Sequence, residues 1–322
     1  MAKIVLGMGV SHSPQLSTPA ETWAQHGERD RNNPEIDFDR LASNAPEWLK
    51  DHLTPEVWQK KYDACETAIL ELGRVLEEVS PDILVVIGDD QKELFLRDNM
   101  PAFSVFWGKE IYDLPQDPEK LPPSIRPALW ARHGEEVEAY PTEASLGRHI
   151  IESLIHQEFD VSQFSEQPEG RSIGHAHTFI RRRLLKDKPM IQMVPVMINT
   201  FFAPNVPSPK RCYEFGQAIR KAIDSWDSDK TVAVIASGGL THFEIDEELD
   251  KRILNALKNE DKESLITIPR ERFVSGTSEI LNWIATAGVL QGAGLNMQVV
   301  DYVPTYRSMA GTGCGMGFVY WK

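Results

Sequence analysis

The sequence predicts a single α/β domain over residues 1–322, a central mixed sheet covered by helices on both faces. Short apolar runs rich in β-branched residues, such as Ile83-Leu-Val-Val-Ile87 and Thr231-Val-Ala-Val-Ile-Ala236, read as strands buried on both sides. These runs alternate with amphipathic stretches of helical period, the pattern of layered α/β architecture. No repeat, low-complexity tract or composition break marks a boundary between domains.

The first strand is Lys3-Ile-Val-Leu-Gly-Met-Gly-Val10, running straight into Ser11-His12-Ser13-Pro14. Its glycines at 7 and 9 allow close approach by another chain segment or a ligand. A polar or helical insertion follows. Residues 15 to about 80 carry it, and the part from Gln15 to Asn44 is too long and too polar for an ordinary connection. Thr54-Pro55 then opens a long helix, with Thr as cap and Pro in the first turn. Pro81 ends that helix, and the second strand leads into Gly88-Asp89-Asp90-Gln91.

The prolines between 101 and 127 predict an irregular surface loop. Helices are expected at about Thr142 to Gln157, from Pro209 through Ile223, at Asp246 to Leu257 and at Thr277 to Ala287. Met190 to Ile198 is a further strand, and Met297 to Tyr302 and Gly315 to Trp321 are two strands joined by a glycine-rich turn.

With 34 Lys+Arg against 48 Asp+Glu, the chain carries a net charge of -14. That excess of negative charge disfavours nucleic acid or an anionic membrane surface as the main partner. No apolar run approaches a transmembrane length, and the first residues do not read as a signal peptide. Three cysteines without CxxC spacing exclude a cysteine-built zinc site and fit a reducing, cytoplasmic setting.

His12, Gln91 and His242 each follow a predicted buried strand, so they are expected to converge at one sheet edge. Two imidazoles there suit iron or zinc, and Glu279, at the start of an apolar helix, is the candidate carboxylate. Each has an ordinary explanation by itself: histidines satisfy buried carbonyls, and a carboxylate suits a helix N-terminus. It is their joint placement that argues for a metal. His175 and His177 would share a face only in an extended segment. His26, His52, His133, His149 and His156 read as surface or packing residues. Gly311-Thr-Gly-Cys-Gly315 is no dinucleotide fingerprint, because no βαβ unit has room to follow it. No Gly-x-Ser-x-Gly supports a serine hydrolase.

Several of these segments together resemble the class III extradiol ring-cleavage dioxygenases, the superfamily of the protocatechuate 4,5-dioxygenase β-subunit. Gly9-Val-Ser-His12-Ser-Pro resembles the family's first metal-ligand motif, and Ser237-Gly-Gly-Leu-Thr-His242 its acid/base segment. Glu279, four residues before Trp283, is similar to the carboxylate ligand. His175 stands where a second active-site histidine occurs, usually within Asp-His-Gly. Lys210 to Gly216 with Ile219-Arg220 resembles a helix of the same fold. The resemblance implies non-haem iron(II), a catechol-like substrate, O₂ and a homodimer or larger assembly. It assigns His12, Gln91 and Glu279 to the metal, His242 to proton transfer and His175 to substrate or oxygen orientation.

One position departs from the pattern. The family's second strand usually ends in Asp-His, and here the residues are Asp90-Gln91. Either Gln91 coordinates the iron, or His52 or His242 takes the missing place, or the site holds metal poorly. The corresponding alternatives to ring cleavage are a diverged interaction protein on the same scaffold and a metal-dependent hydrolase.

Overall fold

All seven residues of the second strand are buried, and around it the sheet grows in both directions. The computed structural model describes residues 1–322. In chain order its main elements begin with β1 (Lys3–Val10), α1 (Trp23–Arg31), α2 (Phe38–Ser43) and α3 (Pro55–Val79). Next come β2 (Ile83–Asp89), β3 (Phe103–Phe106), β4 (Glu110–Asp113), β5 (Glu138–Pro141), α4 (Ala144–His156), β6 (Ser162–Phe164) and α5 (His175–Phe179). The chain closes with β7 (Gln192–Ile198), α6 (Pro209–Ser225), β8 (Thr231–Ser237), α7 (Glu247–Lys258), α8 (Lys262–Ile266), α9 (Ile280–Leu290), β9 (Met297–Pro304) and β10 (Gly315–Trp321).

Eight strands form one mixed sheet in the order β6-β3-β7-β2-β8-β1-β10-β9, and β4 and β5 pair separately. The four central strands β7, β2, β8 and β1 are parallel. Their registers bring Ile198 level with Asp89, and Val10 level with Ser237, at one carboxyl-terminal edge. Along β2, Ile83, Val85 and Ile87 enter one core while Leu84 and Val86 enter the other. This is the period of two expected of a strand covered on both sides.

One face is covered by α4, α6 and α9, the other by α3. Thr54 caps α3 by accepting the Val57 N–H, and Ser208 caps α6 in the same way with Arg211. Helices α6 and α9 cross closely because glycines sit at the contact. A Cβ on Gly216 would lie 1.8 Å from the Ala285 carbonyl oxygen, and one on Gly288 2.1 Å from that of Tyr213. The crossing fixes the helix whose N-terminal turn carries Glu279.

The expectation of an irregular surface loop between 100 and 127 is corrected. Phe103–Phe106 is a buried strand of the main sheet, antiparallel to β7, and Glu110–Asp113 pairs with β5. Four residues between prolines carry too little periodicity to announce a strand, and their pairing is entirely non-local. The short strands Glu138–Pro141 and Ser162–Phe164 are likewise unannounced by the sequence, for the same reason. The helix expected from Thr277 begins as a tight turn over Ser275–Glu279 and continues as α9 to Leu290.

The segment after β1 folds back over the carboxyl-terminal edge. Arg307 binds both oxygens of Asp30 at 2.7 and 2.9 Å and reaches Gln15 at 2.9 Å. Gly27 lets α1 sit against the Arg307 backbone, since a Cβ there would be 2.4 Å from its carbonyl oxygen.

Gly216→Ala should lower stability by about 1–3 kcal/mol, the usual cost of forcing a methyl group into a filled contact. Urea unfolding checks this, with a lower midpoint and an unchanged slope as the expected result.

Candidate active site

The carboxyl-terminal edge of the parallel strands holds a cavity of about 300 Å³ lined by His12, His26, Arg29, Gln91, Arg132, His175, His242, Glu279 and Arg307, with Pro122, Ile125 and Phe243 among its walls. Each strand end contributes through its own local geometry. His12 follows β1, Asp89 closes β2, and Gly238-Gly239 turn the chain after β8 so that His242 comes back to the edge.

Ligand atoms of His12, Asp89 and Glu279 lie within 4.8 Å of one another, and all three side chains are buried. Ser237 gives its hydroxyl proton to the Ala176 carbonyl at 2.6 Å, so it accepts from His12 Nδ1 at 3.1 Å. The unprotonated Nε2 of His12 is then left without a hydrogen-bond partner, 3.5 Å from Glu279 Oε2. A lone pair facing a carboxylate in a buried site is unfavourable unless a cation lies between them. Asp89 adds a second buried carboxylate. Burial and the nearby Glu279 push its pKa well above the ordinary range. Burial likewise pulls His12 down to about 3, as expected of an imidazole kept neutral. These residues fit a divalent metal.

Glu279 is held at several points. Its Oε2 accepts the Gly239 N–H at 2.6 Å and its Oε1 faces His242 Nε2 at 3.3 Å. Burial raises its pKa, but His242 and His12 outweigh that and bring it to about 2. His242 directs Nδ1 to the Leu240 carbonyl at 2.8 Å, and its backbone is fastened to Thr277 at 3.0 and 2.9 Å. Although burial lowers the His242 pKa, Glu279 and then Cys314 drive it well above the ordinary imidazole value.

Gln91 does enter the cavity, but its side-chain amide donates to Asp89 Oδ2 at 2.8 Å, and Asn282 donates to Asp89 Oδ1 at 3.1 Å. Asp89 is thus the third member of the cluster, steadied by Gln91. His175 also borders the cavity, its ring 4.7 Å from that of His12 in an edge-to-face contact. His177 turns away into the core, because the segment is the short helix α5 and not extended. His52 sits half-buried among Lys61, Trp48 and Tyr306, outside the cavity. Of the histidines expected at the surface or in packing, His26 and His133 are buried. His26 bonds Thr18 at the cavity wall, and His133 bonds Asp113.

Sequence reasoning missed Asp89, Asn282, Glu93 and the three arginines. Asp89 had a signal, since an acid closing a fully apolar strand is rarely buried without a purpose. Arg29 lay in the polar insertion already singled out, whereas nothing local marks Glu93, Arg132 or Arg307.

The chain matches, over residues 54–317, the family described as the catalytic LigB subunit of aromatic ring-opening dioxygenase. It belongs to that family. A gallate dioxygenase of Pseudomonas putida KT2440 is 30% identical over 179 residues, covering 52% of this chain and 51% of the relative. The chain therefore spans about half the length of that curated relative. The crystal structure of an uncharacterized protein from Escherichia coli K12 aligns with a TM-score of 0.45 at 14% identity, over 79% of this chain and 91% of that one. No helix is long and apolar enough to cross a membrane.

Proposed function

We propose that this member of the ring-opening family is a non-haem iron(II)-dependent extradiol dioxygenase acting on an aromatic diol that bears an anionic group, with O₂ as co-substrate. The observation that carries the reading is the unpartnered Nε2 of His12, buried beside Glu279 and Asp89, against a cavity that three arginines also line. His12, Asp89 and Glu279 would hold the iron, with Gln91 keeping Asp89 in place. Held by these residues, iron(II) would supply Lewis-acid and redox chemistry for an adjacent pair of hydroxyls and O₂.

The protein's own groups do the rest. Pro122, Ile125 and Phe243 offer apolar walls to an aromatic ring. Of the three arginines, Arg307 is neutralised by Asp30, and Arg132 shares Glu93 at 3.3 Å. Arg29 has no carboxylate partner within ion-pair distance, and its pKa is pushed down by burial first and then by Arg307, with Arg132 adding to the effect. Crowded positive charge in a strongly acidic protein favours an anionic ligand, and the gallate of the Pseudomonas relative is an aromatic carboxylate. His175 Nε2 makes no hydrogen bond within the protein and is free to accept a proton from a substrate hydroxyl. His242, charged through its contact with Glu279, is placed to return one. The walls and the folded-over insertion exclude water from that exchange.

Protein loaded with iron(II) without oxygen should, on exposure to O₂, consume it in step with protocatechuate or gallate and yield a coloured ring-opened product. Oxygen uptake no faster than that of metal-free protein across such diols would sink the proposal. Arg29→Ala should raise KM for the acid about tenfold to a hundredfold while leaving KM for unsubstituted catechol nearly unchanged, as expected for losing one charge-assisted contact.

His12→Ala should lose iron and turnover together. His242→Ala should keep its iron while turnover falls by about two to four orders of magnitude, the range for general acid–base catalysis. Metal analysis of both variants separates the roles; loss of iron from His242→Ala would move His242 into the coordination sphere. Self-association belongs to the same proposal, and sedimentation at micromolar concentration is expected to return a dimer or larger.

A further inference from the structure

Glu93 lies four residues beyond β2, and its carboxylate is buried where none of the roles above uses it. Its Oε1 accepts from His175 Nδ1 at 2.7 Å, from the His175 backbone N–H at 3.1 Å and from Arg132 Nη2 at 3.3 Å. Its Oε2 accepts the Gln91 N–H at 3.3 Å. Behind it, His133 Nε2 stands 3.9 Å from Oε1 while His133 Nδ1 bonds Asp113 at 2.6 Å. Four N–H donors converge on the two oxygens, as an ionised carboxylate requires; burial alone would raise the Glu93 pKa, and His175 and then Arg132 lower it below the ordinary range.

The chain makes room for this carboxylate at one position. A Cβ on Gly174 would meet Glu93 Oε2 at 2.7 Å and Asp90 Oδ1 at 3.4 Å. Any other residue before His175 would displace the acid that holds it. An ionised carboxylate only accepts hydrogen bonds, so the proton of a neutral His175 sits on Nδ1. Nε2 is then the unprotonated nitrogen of a side chain that lines the cavity.

We propose that Glu93, lodged in the space left by Gly174, is the positioning residue of His175, with Arg132 from the same cavity lining sharing its Oε1. The inference rests on the proposed function, in which His175 receives a substrate proton. In that step the substrate O–H bond breaks, its electron pair stays on the oxygen, and the proton binds Nε2. Nδ1–H remains bonded to Glu93, whose negative charge faces the imidazolium that results. His242 lacks this arrangement, since its Nδ1 is held by the neutral Leu240 carbonyl. The two histidines are therefore built for different duties.

The test uses the iron-loaded full chain with Glu93→Gln, Glu93→Asp and Gly174→Ala, together with ¹⁵N-histidine spectra of the metal-free protein. Glu93→Gln should lower kcat by about tenfold to a thousandfold, since the orienting partner of an acid–base histidine is lost. KM for the acid should stay within about threefold, and iron content and thermal midpoint should match the parent. Glu93→Asp should recover a large part of the rate. Gly174→Ala should reproduce the defect, and combining it with Glu93→Gln should add little more. In the parent, neutral His175 should appear as the Nδ1–H tautomer, and Glu93→Gln should mix the tautomers. Unchanged kcat in Glu93→Gln, or a defect traced wholly to lost iron, would overturn the inference. Should that variant not fold, an Nε2–H tautomer for His175 in the parent overturns it by itself. A parent that shows the expected tautomer but opens no ring refutes the proposed function and leaves the positioning role standing.

Discussion

Glu279 lies at the meeting point of the forces that shape the cleft. A buried carboxylate beside a second one is costly, and the fold offsets part of that cost with an N–H from Gly239 and an imidazole from His242, while the bare Nε2 of His12 leaves a place for a cation. Each of those contacts demands close packing. A Cβ on Gly239 would lie 2.5 Å from the His242 ring, one on Gly276 2.0 Å from it, and one on Gly238 3.1 Å from Glu279. The glycines after β8 and before α9 thus bring the two backbones near enough for the acid to be shared. Asp250 fastens the same loop, receiving the N–H and hydroxyl of Thr241 at 2.8 Å each.

The sheet is what makes that meeting point possible. Parallel strands in register end together, so residues 12, 89 and 242, far apart in sequence, are delivered to one edge without any local signal linking them. Glu279 arrives from the other direction, on a helix whose position is set by glycine contacts with α6. The site is therefore a consequence of layer packing, and a change in the α6–α9 crossing would move a carboxylate more than 60 residues away from Gly216 in the chain.

This explains which parts were legible in the sequence. Long apolar runs and capped amphipathic helices announce themselves locally, and β1, β2, β8, α3 and α6 were readable for that reason. So were His12, His242 and Glu279, because a polar residue directly after an apolar run or opening an apolar helix has a predictable address. Phe103–Phe106 was not readable, since a four-residue strand owes its existence to β7. Glu93 and Arg132 were not readable either. Their significance lies in the 2.7 Å and 3.3 Å bonds that tie them to a loop end and a helix start elsewhere in the chain.

Position 91 joins these threads. Where the family pattern has a histidine, this chain has an amide, which by itself is a poorer metal ligand. The strand nevertheless runs on through Asp89, and the amide is short enough to turn back and donate to that carboxylate at 2.8 Å. Asn282 holds the other oxygen from α9. A protonated or loosely held Asp89 would be a poor partner for a cation, and two fixed donors orient it toward His12 and Glu279. On the proposed reading, then, the substitution at 91 shifts the third ligand two residues back along the chain and keeps the count. The buried acids Asp89 and Glu279 lie beside His12, and Arg29 and Arg132 line the same cavity. On the same reading, a ligand with a diol for the cation and an anionic group for an arginine would use both kinds of group in the lining, which is the argument for an aromatic acid over a neutral catechol.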